Sequence, residues 1–220
     1  MCITNGKGFQ EGAMPELTPT RATYEAFQHA YDRFNAGLFE GRLPHCLITM
    51  QRGRRCYGYF SGARWGNAAG GVTDEIALNP THFRTRTPEQ VLSTLAHEMV
   101  HLWQHHFGSP SRRSYHNAEW AAGMLAVGLV PSDTGEPGGR VTGQRMSHYV
   151  EPKGRFASVC RDLLAQGFVI EWMDRAASAG ESSERSGKRT KYVCGRCRLA
   201  AWAKPDALLK CGACDLPMYG

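Results

Sequence analysis

The chain of 220 residues lacks any long hydrophobic run. No segment approaches the ~20 consecutive apolar residues that a membrane-spanning helix needs. Its first residues, MCITNGKGFQEGAMPEL, contain no basic stretch followed by an apolar one, which a secretion signal would require. We therefore expect a protein that is neither membrane-bound nor exported, with a cytoplasmic location.

Cysteine is scarce as well, since eight residues in a chain of this length are too few for a disulfide-built scaffold. Because the chain shows no export signal, we expect its cysteines to be free thiols or metal ligands. Cys2, Cys46, Cys56 and Cys160 have no ligand spacing, and the last three lie in apolar patterns that predict buried thiols. No internal repeat is present.

Charge of one sign prevails, with a net charge of +6 and a pI near 9.0. The segment Glu181 to Gly220 has eight basic residues and four acidic ones, so it carries most of the excess. The stretch AASAGESSERSGKRT, residues 176–190, overlaps the start of this segment and is small and polar, as linkers are. We predict a first domain with a C-terminal extension over 17–174, a linker over 175–190 and a small module over 191–220. A basic module favours an acidic partner such as nucleic acid.

Hydrophobic periodicity predicts an α+β first domain. An apolar stripe after the capping candidate Thr20 indicates an N-terminal helix and comprises Tyr24, Phe27, Tyr31, Phe34 and Leu38. The segments HCLITMQ, RCYGYFSGARW and VTDEIALNP predict a short antiparallel sheet. A helix follows, with Thr87 as its N-cap, Pro88 first in the helix and an end near Phe107. Another is predicted from Asn117 to Leu129, and a further one around Phe156, Val159, Cys160 and Leu163.

The helix from Pro88 carries His97, Glu98 and His101 in the pattern H-E-x-x-H. Four residues of helix place the two imidazoles on one face, ~6 Å apart along the axis, so both reach one zinc ion. Glu98 is offset by one position, which keeps its carboxylate off the metal and near a metal-bound water. A chance match on a histidine-rich surface helix is the weaker interpretation.

Catalytic zinc needs a third protein ligand. His105 lies ~12 Å from His97 along the helix axis, too far for a straight helix to bring both to one ion. We therefore expect His105 and His106 to be solvated or hydrogen-bonded near the helix end. His116, after the break at Gly108, is the preferred ligand. Glu119 is the second choice as ligand. If His116 binds the metal, Glu119 either accepts a hydrogen bond that fixes an imidazole or is an exposed helical carboxylate.

Several stretches together resemble the SprT-like family: HEMVHLWQHHFG, HNAEW with His116 fifteen residues after His101, FNAGLFEGRLP and the cysteine-paired tail. The resemblance covers about residues 20 to 130 and 190 to 216. It implies a zincin-like metalloprotease domain with His97, His101 and His116 as ligands, Glu98 as the catalytic residue, and proteolysis of proteins on DNA. Residues 151–190 depart from it, because they separate the two modules by more than short bacterial members would.

The tail reads Cys194-G-R-Cys197, thirteen residues, then Cys211-G-A-Cys214. Two thiolate pairs at this spacing close tetrahedrally around one zinc, as in a zinc ribbon. A redox pair would need only one C-x-x-C, and no thioredoxin-like context surrounds either. We predict two zinc ions, one catalytic and one structural.

Two further sets of residues are weaker candidates. Arg145, His148 and Tyr149 are candidate donors to a developing oxyanion, although a packed or surface strand position is the more ordinary interpretation of each. Candidate phosphate contacts are Lys188, Arg189, Lys191, Arg196 and Arg198. Tyr192 and Trp202 either stack on unpaired bases or form the ribbon's small core.

The functional hypothesis is a zinc metalloendopeptidase acting on DNA-bound or DNA-crosslinked proteins, stimulated by single-stranded or structured DNA with little sequence preference. The alternative is a nucleic-acid-binding or transcription-associated accessory protein whose zinc only stabilises the fold. A third hypothesis makes the ribbon a protein-interaction module. Glu98 favours the enzyme, because a structural zinc site needs no such carboxylate.

Overall fold

The computed structural model describes residues 18–53, 56–112, 115–175 and 189–220. The chain divides into two compact units, Met1–Ser178 and Ala179–Gly220. The predicted boundaries 17–174 and 191–220 stay a prediction, and residues 176–188 of the predicted linker lie outside the described residues.

The first unit is a mixed α+β structure, which confirms the predicted class. Its described helices are α1 (Pro19–Phe39), α2 (Pro88–Phe107), α3 (Ala118–Val127) and α4 (Arg155–Ala165), with a 3₁₀ helix at Pro80–Thr85. Its described strands are β1 (Leu47–Met50), β2 (Gly58–Gly66), β3 (Val72–Leu78), β4 (Leu129–Ser132) and β5 (Ser147–Val150). None of the helices in the described ranges has the length and apolar character to cross a membrane.

The three-stranded sheet has the order β1-β3-β2. Strands β2 and β3 are antiparallel, but β1 pairs parallel to β3, so the expectation of a purely antiparallel sheet was wrong. The short turn 67–71 forces the β2–β3 hairpin. Strand β3 therefore lies in the centre, with β1 on one side and β2 on the other.

Helix α1 buries Phe27, Tyr31, Phe34 and Leu38 of the predicted stripe, whereas Tyr24 is exposed. The helix begins at Pro19 with Thr18 as its N-cap, two residues before the expected Thr20. Proline accounts for the difference, since its fixed φ favours the first helical position.

Helix α2 begins at the predicted capping box, in which Thr87 and Gln90 cap each other, and ends before Gly108. Most of its length is buried, and it contacts β2, β3 and the other helices. Helix α3 ends at Val127, because Gly128 adopts a φ of 88° and Leu129 starts β4. The predicted end at Leu129 was therefore two residues too long.

The cysteines outside the two C-x-x-C pairs follow the burial expectation only in part. Cys160 is buried and Cys46 is partly buried, whereas Cys56 is exposed in the loop before β2. Burial raises the pKa of Cys160 to about 12, so this thiol is inert. Cys2 lies outside the described residues.

The second unit is a small antiparallel sheet of β6 (Thr190–Cys194), β7 (Ala200–Ala203), β8 (Leu209–Lys210) and β9 (Pro217–Tyr219). Its order is β7-β6-β9-β8. The core is small and contains Tyr192, Cys194, Cys211 and Met218.

Candidate metal centre on the second helix

Three histidines from two segments of the first unit converge. His97 and His101 face the same side of α2, and His116 lies two residues before α3. Their ring centroids are 5.3 Å (His97–His101), 5.6 Å (His97–His116) and 4.8 Å (His101–His116) apart. One nitrogen of each lies within 4.8 Å of the others. The buried Trp120 contacts all three rings and forms the floor of the cluster.

The donor set fits a zinc ion. Burial lowers the pKa of His97 well below its ordinary value and that of His101 to about 3, and it also lowers that of His116. The imidazoles are therefore neutral at physiological pH, which is the form that binds metal. Three neutral imidazole nitrogens are a typical protein ligand set of catalytic zinc sites.

His97 is oriented by a chain of hydrogen bonds. Its Nδ1 lies 3.1 Å from Nδ1 of His148, and Nε2 of His148 lies 2.9 Å from Ser93 Oγ. A metal on Nε2 of His97 places the proton on Nδ1, so His97 donates to His148. His148 then donates to Ser93, whose hydroxyl donates to the Gln90 carbonyl at 3.0 Å. Every group in this order has a partner, which fixes the His97 tautomer and ring plane.

His116 is oriented by the loop before β5. Its Nδ1 lies 3.1 Å from the Gly143 carbonyl oxygen, and the two backbones exchange hydrogen bonds of 2.8 and 3.1 Å. Donation from Nδ1 to that carbonyl leaves Nε2 as the nitrogen for a metal. Residues 116 and 143 thus form one rigid bridge.

Glu98 follows His97 in α2 and is buried, at 5% exposure. Burial raises the pKa of its carboxyl to about 8, and a hydrogen bond from the Phe60 backbone amide opposes that rise. Gly58 permits this closeness, since a Cβ there would lie 3.3 Å from Glu98 Oε1. The carboxyl therefore lies between strand β2 and the helix, with a proton affinity suited to exchange near neutral pH.

Glu119 forms hydrogen bonds with the turn after α2 and not with an imidazole of the cluster. Its Oε2 accepts hydrogen bonds from Gln104 Nε2 at 2.6 Å and from the Ser109 backbone amide at 2.7 Å. Gln104 also donates to Asn117 Oδ1, the N-cap of α3. Glu119 therefore ties the end of α2 to the start of α3, and it positions His116 through the backbone.

Of the three oxyanion candidates, His148 contacts His97 of the cluster. Tyr149 pairs with Val130 in the β4–β5 ladder, and Arg145 is exposed before that strand. Sequence reasoning missed Ser93 and Gly143. Ser93 lies four residues before His97, so helical spacing offered a signal for it; Gly143 offered none.

The second unit gathers Cys194, Cys197, Cys211 and Cys214, whose sulfurs all lie within 4.8 Å of one another. Backbone amides of Cys197 and Arg196 lower the pKa of Cys194, which favours the thiolate. Four thiols in this arrangement are compatible with a zinc ribbon.

The basic and aromatic candidates of the second unit separate by exposure. Tyr192 is buried, and its hydroxyl donates to the Lys204 carbonyl and accepts from the Ala207 amide. It belongs to the ribbon core. Trp202 is 60% exposed, with the Lys191 ammonium 5.9 Å from its ring centroid. Arg196 and Arg198 are exposed, as is Arg189, and Lys188 lies outside the described residues.

The first unit is therefore an α+β structure in which His97 and His101 of α2 and His116, just before α3, form a three-histidine cluster. Residues 27–137, half of the chain, match the model of the SprT-like family. The chain belongs to the SprT-like family, as the sequence resemblance predicted, and this membership suggests a metalloprotease-type function. A protein of Salmonella typhimurium described as "Uncharacterized protein in mucB 3'region" is 52% identical over 59 residues, which are 26% of this chain and 80% of that protein. No solved structure matches the chain.

Proposed function

We propose that this protein is a zinc-dependent endopeptidase whose catalytic ion is held by His97, His101 and His116. The observation that carries the proposal is the convergence of three neutral, oriented imidazoles, with the buried Glu98 next to His97 in the sequence of the same helix. A purely structural zinc site has no use for a carboxyl with a raised pKa at that place. When bound, the zinc ion would supply Lewis acidity toward the scissile carbonyl and its attacking water.

Glu98 is the proton carrier in this proposal. Its carboxylate takes one proton from the attacking water as the C–O bond forms, and it gives that proton to the leaving amine as the C–N bond breaks. The Phe60 amide steadies the ionised form by donating to it. His148 and Ser93 keep His97 in one orientation throughout, so that the ligand geometry does not relax during turnover.

Strand β2 supplies a docking edge for the substrate. It is an edge strand of its sheet, paired only with β3 among the described strands. Since its Phe60 amide already reaches Glu98, an extended peptide added to the open edge of β2 would lie beside the carboxyl. This geometry favours unfolded or locally extended polypeptide as substrate.

We further propose that the ribbon brings DNA-bound protein substrates to the enzyme. Exposed Arg196 and Arg198, together with Lys191 beside the exposed Trp202 ring, combine phosphate-binding charge with a stacking face. Such binding is strongly weakened by salt and has little sequence preference. A single-stranded or structured DNA is the best fit, because a stacking face needs unpaired bases.

The test is cleavage of a DNA-binding protein by the zinc-loaded full-length chain, with and without single-stranded DNA. Glu98→Gln should reduce cleavage by roughly 10²–10⁴-fold and retain zinc, since glutamine preserves the shape and the Phe60 contact. Arg196→Glu should lower the stimulation by DNA, whereas Arg33→Glu, which reverses an exposed arginine of α1, should not. If the Glu98→Gln chain cleaved the substrate as fast as the parent chain, the peptidase proposal would be wrong and the accessory-protein alternative would replace it.

A further inference from the structure

A second group of metal-type donors lies at the other end of the helix that carries the histidine cluster. His105 and His106 occupy the last turn of α2, and Asp74 lies on the central strand β3. One donor atom from each falls within 4.8 Å of the others. The proposed peptidase chemistry uses none of these three residues.

The rings are arranged as two imidazoles on one ion would be. The His105 and His106 ring centroids are 5.0 Å apart, within the 4.8 to 5.6 Å range of the three-histidine cluster. Two imidazoles bound tetrahedrally at a metal–nitrogen distance of about 2.0 Å have centroids roughly 5 Å apart. Asp74 Oδ2 lies 2.6 Å from His106 Nε2, so the third donor is already at hand.

Strand β2 is shaped around this group. The β2–β3 register shifts between Ser61 and Trp65, and Ala63 adopts a left-handed φ of 50°. This irregularity directs the Ala63 amide onto Asp74 Oδ1 at 2.7 Å. A Cβ on Gly62 would lie 2.6 Å from His105 Cε1, so glycine is needed for the ring to rest there. The bulge and the glycine thus position a carboxylate and an imidazole respectively.

Burial and access also fit a binding site. Asp74 is 6% exposed. Burial by itself would raise the pKa of its carboxyl, but hydrogen bonds from the Ala63 amide and from His106 lower that pKa overall. The carboxylate is therefore anionic and fixed in place. His105 and His106 are exposed, which gives an ion an entry path and leaves room for water as its remaining ligands.

We propose that Asp74, His105 and His106 form an additional site for a divalent transition-metal ion such as zinc. Two imidazoles and one carboxylate suit zinc and its neighbours, whereas magnesium and calcium prefer all-oxygen sites. The ion takes the place of the hydrogen bond between Asp74 and His106; the neutral His106 imidazole then carries its one proton on Nδ1, so that Nε2 is free to bind the metal. The ion joins the centre of the sheet to the end of α2. The site is independent of the peptidase proposal.

The test counts zinc bound to the full-length chain after dialysis against a metal buffer that fixes free zinc. His105→Ala and His106→Ala should each hold about one ion fewer than the parent chain. His29→Ala removes an exposed histidine of α1 and is the matched control, which should lose none. Gly62→Ala removes no donor but displaces the His105 ring, and it should weaken the additional site about tenfold or more.

Circular dichroism without added metal establishes that each variant is folded, which is expected because both imidazoles are exposed. The proposal is overturned if the parent chain and His105→Ala hold equal amounts of zinc at every free concentration. It is also overturned if His29→Ala loses as much zinc as the cluster variants, since the extra binding would then be unspecific.

Discussion

Replacing Gly58 by alanine tests how closely strand β2 packs against helix α2. A Cβ at this position would lie 2.8 Å from the Ala77 carbonyl oxygen, 2.9 Å from Thr94 Cγ2 and 3.3 Å from Glu98 Oε1. The first contact is with backbone of the central strand, which cannot rotate away. The strand must therefore move outward, and the hydrogen bond from the Phe60 amide to Glu98 must lengthen.

The same strand offers a matched control. A Cβ on Gly66 would meet nothing closer than the Gly71 carbonyl oxygen at 3.9 Å, which is ordinary contact. Both substitutions reduce the conformational entropy of the unfolded chain to the same extent, and this stabilises the folded protein by ~0.4–1 kcal/mol. Overpacking at Gly58 costs ~1–3 kcal/mol. The Gly58→Ala chain should therefore be less stable than the Gly66→Ala chain by about 1–3 kcal/mol.

The assay is urea denaturation at one fixed free zinc concentration, followed by far-ultraviolet circular dichroism. The described helices all lie in the first unit, so the helical signal reports that unit. Free energies of unfolding that agree within about 0.5 kcal/mol would refute the close packing of β2 on α2. They would also remove the reason for placing a substrate strand beside Glu98.

Three other outcomes follow from the structure. His116→Ala should lose about one zinc ion per chain, whereas Glu119→Ala should keep it, because Glu119 binds the turn after α2; metal analysis giving the opposite result would make Glu119 the ligand. Thr87→Ala should lower the free energy of unfolding by about 1 kcal/mol through loss of the capping box, and an unchanged urea midpoint would contradict that role. Burial lowers the pKa of His101 to about 3, below its ordinary value of 6.5. In the metal-free protein, the unfolded chain therefore binds a proton at this residue below pH 6.5, whereas the folded chain does not. The free energy of unfolding should fall on acidification from pH 6.5 towards pH 3, by at most about 1.4 kcal/mol per pH unit. A His101→Gln chain should show a shallower pH dependence of the free energy of unfolding, and identical slopes would disprove the assignment.

Local chemistry determined what the sequence alone could predict. The capping box at Thr87 and the break at Gly108 bound α2, because each depends on hydrogen bonds within one turn. The placement of His97 and His101 on one face follows from helix geometry alone. The spacing to His116, with the neighbouring motifs, was sufficient to identify the family, and paired cysteines at short range were sufficient to predict a ribbon.

Only the tertiary structure decided which distant segments meet. Strand β3 lies between β1 and β2, although β1 and β2 are consecutive in the sequence, because the central position buries both faces of β3. No local sequence pattern encodes that strand order. His148 reaches His97 from β5, and Asp74 reaches His106 from β3, across 51 and 32 positions of sequence. Such contacts form because the helix packs against the strands, and because a buried polar group without a partner costs free energy. Which partner it finds depends on the packed arrangement of the elements, which single-residue preferences do not contain.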